Sequence, residues 1–176
     1  MEKTIISYAS GGLGNILLPL ASCKLIAKKT NRKLIVCWEP TFACMATFQD
    51  LFEEDVQVIT KNELMNFQDV KIYGDLHDIS FDSSLFENNS LNSLKSKFLT
   101  LPVPNFNIND NEQNIIVYHN NILPSLDRSE VIQEFKNLTW NKDFLMKVNQ
   151  LVTELQIDAN IIGAHVRATD FSEGIQ

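Results

Sequence analysis

A chain of 176 residues, 44% apolar and 21% charged, is long enough for one domain with a real core and has the composition of a soluble globular protein. A formal net charge of −7 argues against a general polyanion-binding surface, so nucleic acid is not an expected partner. No apolar run reaches the length of about eighteen residues needed for a membrane span.

Met1-Glu2-Lys3-Thr4 runs into a strand without the apolar core and cleavage site of a signal peptide. Cys23, Cys37 and Cys44 are odd in number, fit no zinc spacing and have apolar neighbours, which predicts reduced core thiols and a cytoplasmic location.

Residues 3–9 read as a first, β-rich strand. Ser10-Gly11-Gly12-Leu13-Gly14-Asn15 follows as a glycine turn, and Ile16 to Lys29 as an apolar helix. Proline is tolerated best in a first helical turn, so Pro19 predicts a helix start near Asn15–Leu18. Lys28, Lys29 and Arg32 complement the negative end of that helix, and Asn31 suits the left-handed position that closes it. Lys33 to Trp38 is a continuous apolar run, as in a parallel strand buried on both faces, and the whole stretch makes one βαβ unit.

Beyond Glu39-Pro40, a short helix is expected at 47–52, strands at 56–59 and 70–74, and a helical turn or two at 61–67. Residues 75–113 are crowded with asparagine, serine and proline and read as an irregular excursion, in which 91–101 is the helix-compatible part. A strand is expected at 114–118, helices at 128–136 and 142–155, and a last buried strand at 159–167. Strands alternating with helices define an α/β doubly wound, Rossmann-like pattern with a parallel sheet, taken as a single domain over 1–176.

In open α/β sheets, ligands bind outside the carboxyl ends of the strands. Two strand ends carry suitable equipment. At the first, Gly11, Gly12 and Gly14 either cradle a phosphate at a helix N-terminus or serve turn geometry alone. At the second, His165-x-Arg167-x-x-Asp170 offers a planar donor fork in Arg167, which Asp170 could hold, with His165 on the same strand face. The plainer alternative is a core histidine beside a surface ion pair.

Leucine replaces the third glycine of a dinucleotide fingerprint, and no Gly-Lys-Ser/Thr follows. His77 and His119 have no partners at ligand spacing. Glu39 and Asp50 are candidate bases for a sugar hydroxyl, with solvated loop carboxylates as the plainer role. Trp38 and Trp140 read as core rather than sugar platforms.

Gly11-Gly12-Leu13-Gly14-Asn15, then Thr30 to Leu34, resembles the opening of the fucosyltransferase superfamily (α-1,2-, α-1,6- and protein O-fucosyltransferases). Trp38-Glu39-Pro40 leading to Phe48–Glu53 resembles the bacterial α-1,6-like branch, and His165-Val166-Arg167-Ala168-Thr169-Asp170 resembles the superfamily's His-x-Arg-x-x-Asp motif. The resemblance implies a GT-B glycosyltransferase that uses GDP-fucose, inverts at the sugar and needs no metal. By position it implies Arg167 on the pyrophosphate and leaving group, and Asn15 with Gly11, Gly12 and Gly14 along the donor–acceptor cleft. It also implies His165 shaping the phosphate site and Asp170 orienting its neighbours.

Partners would be a nucleotide-sugar donor and a glycan or other hydroxyl acceptor. Gly12 stands where several branches have arginine. The sequence given closes at Gln176, six residues after Asp170, so the expectation is the acceptor-side half without the C-terminal donor domain. The rivals are a non-catalytic binding or interaction module of the same fold and an unrelated phosphate-binding α/β domain. Self-association would fit an exposed cleft face but has no support in the sequence.

Overall fold

The computed structural model describes residues 2–9, 11–41, 44–74, 99–118 and 122–157. The chain divides into two compact units, Met1–Asn141 and Lys142–Gln176.

The first unit is built on six parallel strands: β1 (Thr4–Tyr8), β2 (Lys33–Cys37), β3 (Gln57–Ile59), β4 (Val70–Gly74), β5 (Leu99–Leu101) and β6 (Asn114–Tyr118). They lie in the order β3-β2-β1-β6-β4-β5. The helices are α1 (Leu13–Thr30), α2 (Phe48–Leu51), α3 (Lys61–Leu64) and α4 (Arg128–Lys136). β1 pairs with β2 in register, Thr4 opposite Lys33 through Tyr8 opposite Cys37, which confirms the βαβ unit. The chain moves outward from β1 through β2 to β3 on one side, while β6, β4 and β5 lie on the other. The strand order therefore reverses beside β1, the position at which open α/β sheets form their ligand crevice.

Strand alternation distributes the core over both faces. Ile5, Ile115, Val117 and Tyr73 point to the α1 side and meet Cys23, Ile26 and Ala27. Ile6, Tyr8, Ile35, Cys37, Ile59 and Ile72 point to the other side and meet Leu64 of α3. α4 packs on α1 through Val131 against Ala21 and Leu25. Two flanking ion pairs, Lys28–Glu134 at 2.6 Å and Lys29–Glu130, join the same two helices.

Four expectations need correction. α1 begins at Leu13, not near Asn15–Leu18, so Pro19 lies inside it. Pro19 is fully buried among the largest core side chains. That burial, with the rest of the α1 band, offsets the roughly 3 kcal/mol a helix-interior proline costs. Arg32 does not serve the helix dipole. It is 6% exposed and its guanidinium donates to the carbonyls of Thr4 (3.1 Å), Glu112 (2.8 Å) and Asp110.

Within the Asn/Ser-rich excursion, Leu99–Leu101 is a strand paired with β4, not the end of a helix; 75–98 lie outside the described residues. Cys23 and Cys37 are buried as expected, and burial raises both thiols to about 12, but Cys44 is only half-buried.

Asn31 does close α1 in the left-handed region, at φ 51° and ψ 42°. Trp38 is buried, its indole N–H donating to the Ala46 carbonyl at 2.9 Å. Trp140 is half-buried, with its ring 4.8 Å from that of Phe52.

In the second unit, α5 (Lys142–Glu154) forms where helical spacing predicts it. Its apolar residues Leu145, Met146 and Leu151 are exposed. The strand expected at 159–167 lies outside the described residues. Among the described residues no helix is long and apolar enough to cross a membrane.

Candidate functional site

The glycine turn sits at the carboxyl end of β1, beside the reversal of strand order. Gly11 has φ +82°, where an L side chain is strained. A Cβ there would also come within 3.3 Å of the Asn15 side-chain amide nitrogen. Gly12 is the N-cap of α1, extended at φ −73° and ψ 161°, and supplies no side-chain cap. Its carbonyl accepts from the N–H of Asn15 at 2.9 Å and of Ile16 at 3.3 Å. By helix geometry the N–H groups of Leu13 and Gly14 have no acceptor within α1.

Gly14 differs from Gly11 in an instructive way. It lies in the first turn of α1, exposed, and a Cβ built on it would meet no heavy atom within 4 Å. Nothing in the described packing requires glycine there, although glycine in a helix costs roughly 0.5–1 kcal/mol relative to alanine. Close approach of a ligand to the backbone is a physical use for such a position. The Asn15 side chain is exposed alongside it.

The electrostatics point the same way. α1 has no acidic residue in its first turn. The other helices of this unit are capped by their own side chains: Thr47 with Asp50 on α2, Thr60 with Glu63 on α3, and Asp127 on α4. The hydrogen bonds from Thr60 hold the Glu63 carboxyl below its ordinary range, and those from Ser129 and Glu130 do the same for Asp127. The α1 terminus alone among these leaves its positive end to an incoming anion.

The remaining sequence candidates separate clearly. Gly11, Gly12, Gly14 and Asn15 lie together in the turn between β1 and α1 and the first turn of α1. His165, Arg167 and Asp170 lie outside the described residues, as do Ser10, His77 and His119. Asp50 is a capping residue: its carboxylate accepts from the Thr47 N–H at 2.7 Å while its own N–H donates to the Thr47 hydroxyl. Glu39 is not a solvated loop carboxylate, because it accepts from the Lys61 N–H at 3.0 Å.

Lys61 is the polar residue that sequence reading missed. Its ammonium lies 6.0 Å from the centre of the Tyr8 ring and 4.0 Å from the Glu39 carboxylate. Its position just after β3, like that of Tyr8 at the end of β1, was the available signal. Among the described residues no three of His, Cys, Asp and Glu group as metal ligands.

A parallel sheet flanked by helices, with a glycine turn beside the reversal of strand order, is a Rossmann-like α/β fold. Solved structures of fucosyltransferases share this fold. The chain matches the crystal structure of fucosyltransferase NodZ from Bradyrhizobium with a TM-score of 0.50 and 15% identity, over 88% of this chain and 56% of that one.

NodZ α-1,6-fucosyltransferase soaked with GDP-fucose matches with a TM-score of 0.51, and the same enzyme co-crystallised with GDP with 0.50, each again at 15% identity and over 88% of this chain and 56% of that one. The fold is thus the one the fucosyltransferase resemblance implies. The chain spans just over half the length of these structures. No family model matches the sequence, and no curated protein does.

Proposed function

We propose that this chain provides the first Rossmann-like half of a fucosyltransferase-like glycosyl-transfer site, with GDP-fucose as donor and a glycan or other hydroxyl as acceptor. The observation that carries the reading is Gly14. It is an exposed, helical glycine with open space around it, at the sheet's switch point, in a fold shared with structures soaked with GDP-fucose.

In this reading the glycine turn lets the diphosphate or sugar approach the α1 terminus, and Asn15 lines the cleft. Arg167 binds the pyrophosphate and stabilises charge on the departing GDP, while His165 and Asp170 shape and hold that arrangement. Rate then comes from leaving-group stabilisation and in-line placement of the acceptor hydroxyl, with inversion at the sugar carbon and no metal.

Titration calorimetry with GDP, using ADP and UDP as controls and Arg167→Ala as the comparison, tests the donor site. Heat selective for GDP and lost in the variant is the expected result. Equal heats for all three nucleotides, or none, would count against it. Release of GDP from GDP-fucose with acceptor present then separates an enzyme from a binding module.

A further inference from the structure

We infer that α5 is a self-association surface: its exposed apolar seam pairs antiparallel with the α5 of a second copy of this chain. This pairing requires nothing of the glycine turn or of a donor site.

The seam is written in the spacing. Phe144, Val148, Leu151 and Leu155 recur at alternating intervals of four and three residues, the repeat that keeps one stripe of a helix facing a partner helix. Leu145 and Val152 widen the stripe on one side. Phe144 is half-buried, whereas Leu151 and Leu155 are 54% and 65% exposed, and Leu145, Val148 and Val152 are exposed as well. Leu155 lies just past α5 but still in its hydrogen-bond ladder, its N–H donating to the Leu151 carbonyl at 2.9 Å. The chain then turns away: Gln156 sits at φ 52°, and the Ile157 N–H closes on the Val152 carbonyl at 2.9 Å. A contiguous apolar stripe left in water marks a surface that meets a partner.

The charges choose that partner. Lys147 and Glu154 are seven residues apart and flank the stripe on the side opposite Leu145 and Val152. Let a second α5 run antiparallel, with Val148 of each copy layered on Leu151 of the other. Lys147 of each copy then falls opposite Glu154 of the other, and Leu145 opposite Val152. One two-fold rotation thus answers both charges and both apolar flanks. A parallel pair would instead set the Lys147 ammonium beside Val152 of the second copy and leave Glu154 with no cation from α5. Antiparallel packing also places the positive end of each helix beside the negative end of the other.

One Glu154 oxygen accepts from the Gln150 side-chain amide at 2.7 Å, which holds the carboxylate on the helix surface and leaves the second oxygen for a lysine. A partner of unrelated sequence would have to reproduce this order of charges; a second copy carries it already. The seam is only about three helical turns long, so the dimer is weak and concentration-dependent, at the small end of specific interfaces. Because the seam is self-complementary, it closes at two copies.

Sedimentation equilibrium on the full chain, from low micromolar to sub-millimolar concentration, tests this. The wild-type mass should rise from monomer towards dimer. Lys147→Glu and Glu154→Lys each turn both flanking attractions into repulsions on an exposed helix surface. Their circular dichroism should match the wild type, while dimerisation weakens roughly tenfold. Mixed one to one, the two variants again set opposite charges face to face, and the dimer should return to wild-type strength. Leu151→Asp should stay monomeric throughout.

A wild type that is monomeric over the whole range, or a mass that climbs beyond the dimer, would overturn the proposal. So would a dimer indifferent to the charge reversals, or reversals that weaken it and are not rescued by mixing.

Discussion

The two edges of the sheet use polar residues for opposite purposes. At the amino edge most are sheltered, and they are bound to one another. Arg32 reaches the carbonyls around Asp110 and Glu112, while the Asp110 carboxylate takes the Lys71 ammonium at 2.9 Å and the Tyr73 hydroxyl. Lys71 also pairs with Glu112 at 3.1 Å, and the Asn114 amide bridges the Thr4 hydroxyl and the Gln68 carbonyl. At the carboxyl edge, Gly14 and Asn15 are exposed, the α1 terminus has no cap of its own, and Glu39 and Lys61 stand 4.0 Å apart. The first arrangement closes the fold. The second leaves the α1 terminus without a side-chain cap, beside the exposed Gly14 and Asn15.

Breaking the amino edge should have the largest effect on stability. Arg32→Met removes donors from several sheltered carbonyls and should cost about 3 kcal/mol in urea unfolding. The folded fraction should still bind GDP.

Asp110→Asn comes next and has a pH signature. Burial raises the Asp110 carboxyl, but the hydrogen bonds from Lys71 and Tyr73 outweigh it and hold it below the ordinary range. A lowered folded value contributes stability that is present above the unfolded carboxylate range and lost as pH falls through the folded value. Acid unfolding of the wild type should therefore be steeper than that of Asp110→Asn. Equal slopes would show that the network carries no such linkage.

The glycine turn sharpens the comparison. Gly11→Ala forces an L residue to φ +82° and crowds Asn15, and should cost about 1–2 kcal/mol. Gly14→Ala should do the reverse, raising stability by roughly 0.5–1 kcal/mol because open space surrounds it. The smallest effect is expected from Glu130→Gln, whose pair with Lys29 is exposed on both sides: under about 0.5 kcal/mol, reduced further by salt.

Much of the fold was legible because local pattern and tertiary role agree. The β-rich composition of β1, the apolar band of α1 and the continuous apolar run of β2 already specify a strand, a covering helix and a parallel return. Three features were not legible, for different reasons. β5 is three residues in a stretch rich in turn formers, and its strand character comes from pairing with β4 rather than from its own composition. Arg32 was misread because most of the carbonyls it serves lie some eighty positions away.

Asp50, by contrast, was readable: Thr47-x-x-Asp50, like Thr60-x-x-Glu63, carries the spacing of a capping box, and a base was sought where a cap stood. Of the site, the glycine turn was visible because conformational freedom is written in residue type. Lys61 was not, because its approach to Tyr8 spans three strand ends.

The central claim is that the carboxyl edge is shaped for a ligand and not by packing. Calorimetry with GDP on the wild type and Gly14→Ala, alongside thermal melts of both, tests it directly. The account predicts a variant that melts higher and binds GDP more weakly. A variant that melts higher and binds GDP unchanged would contradict it, leaving the glycine turn as no more than a turn.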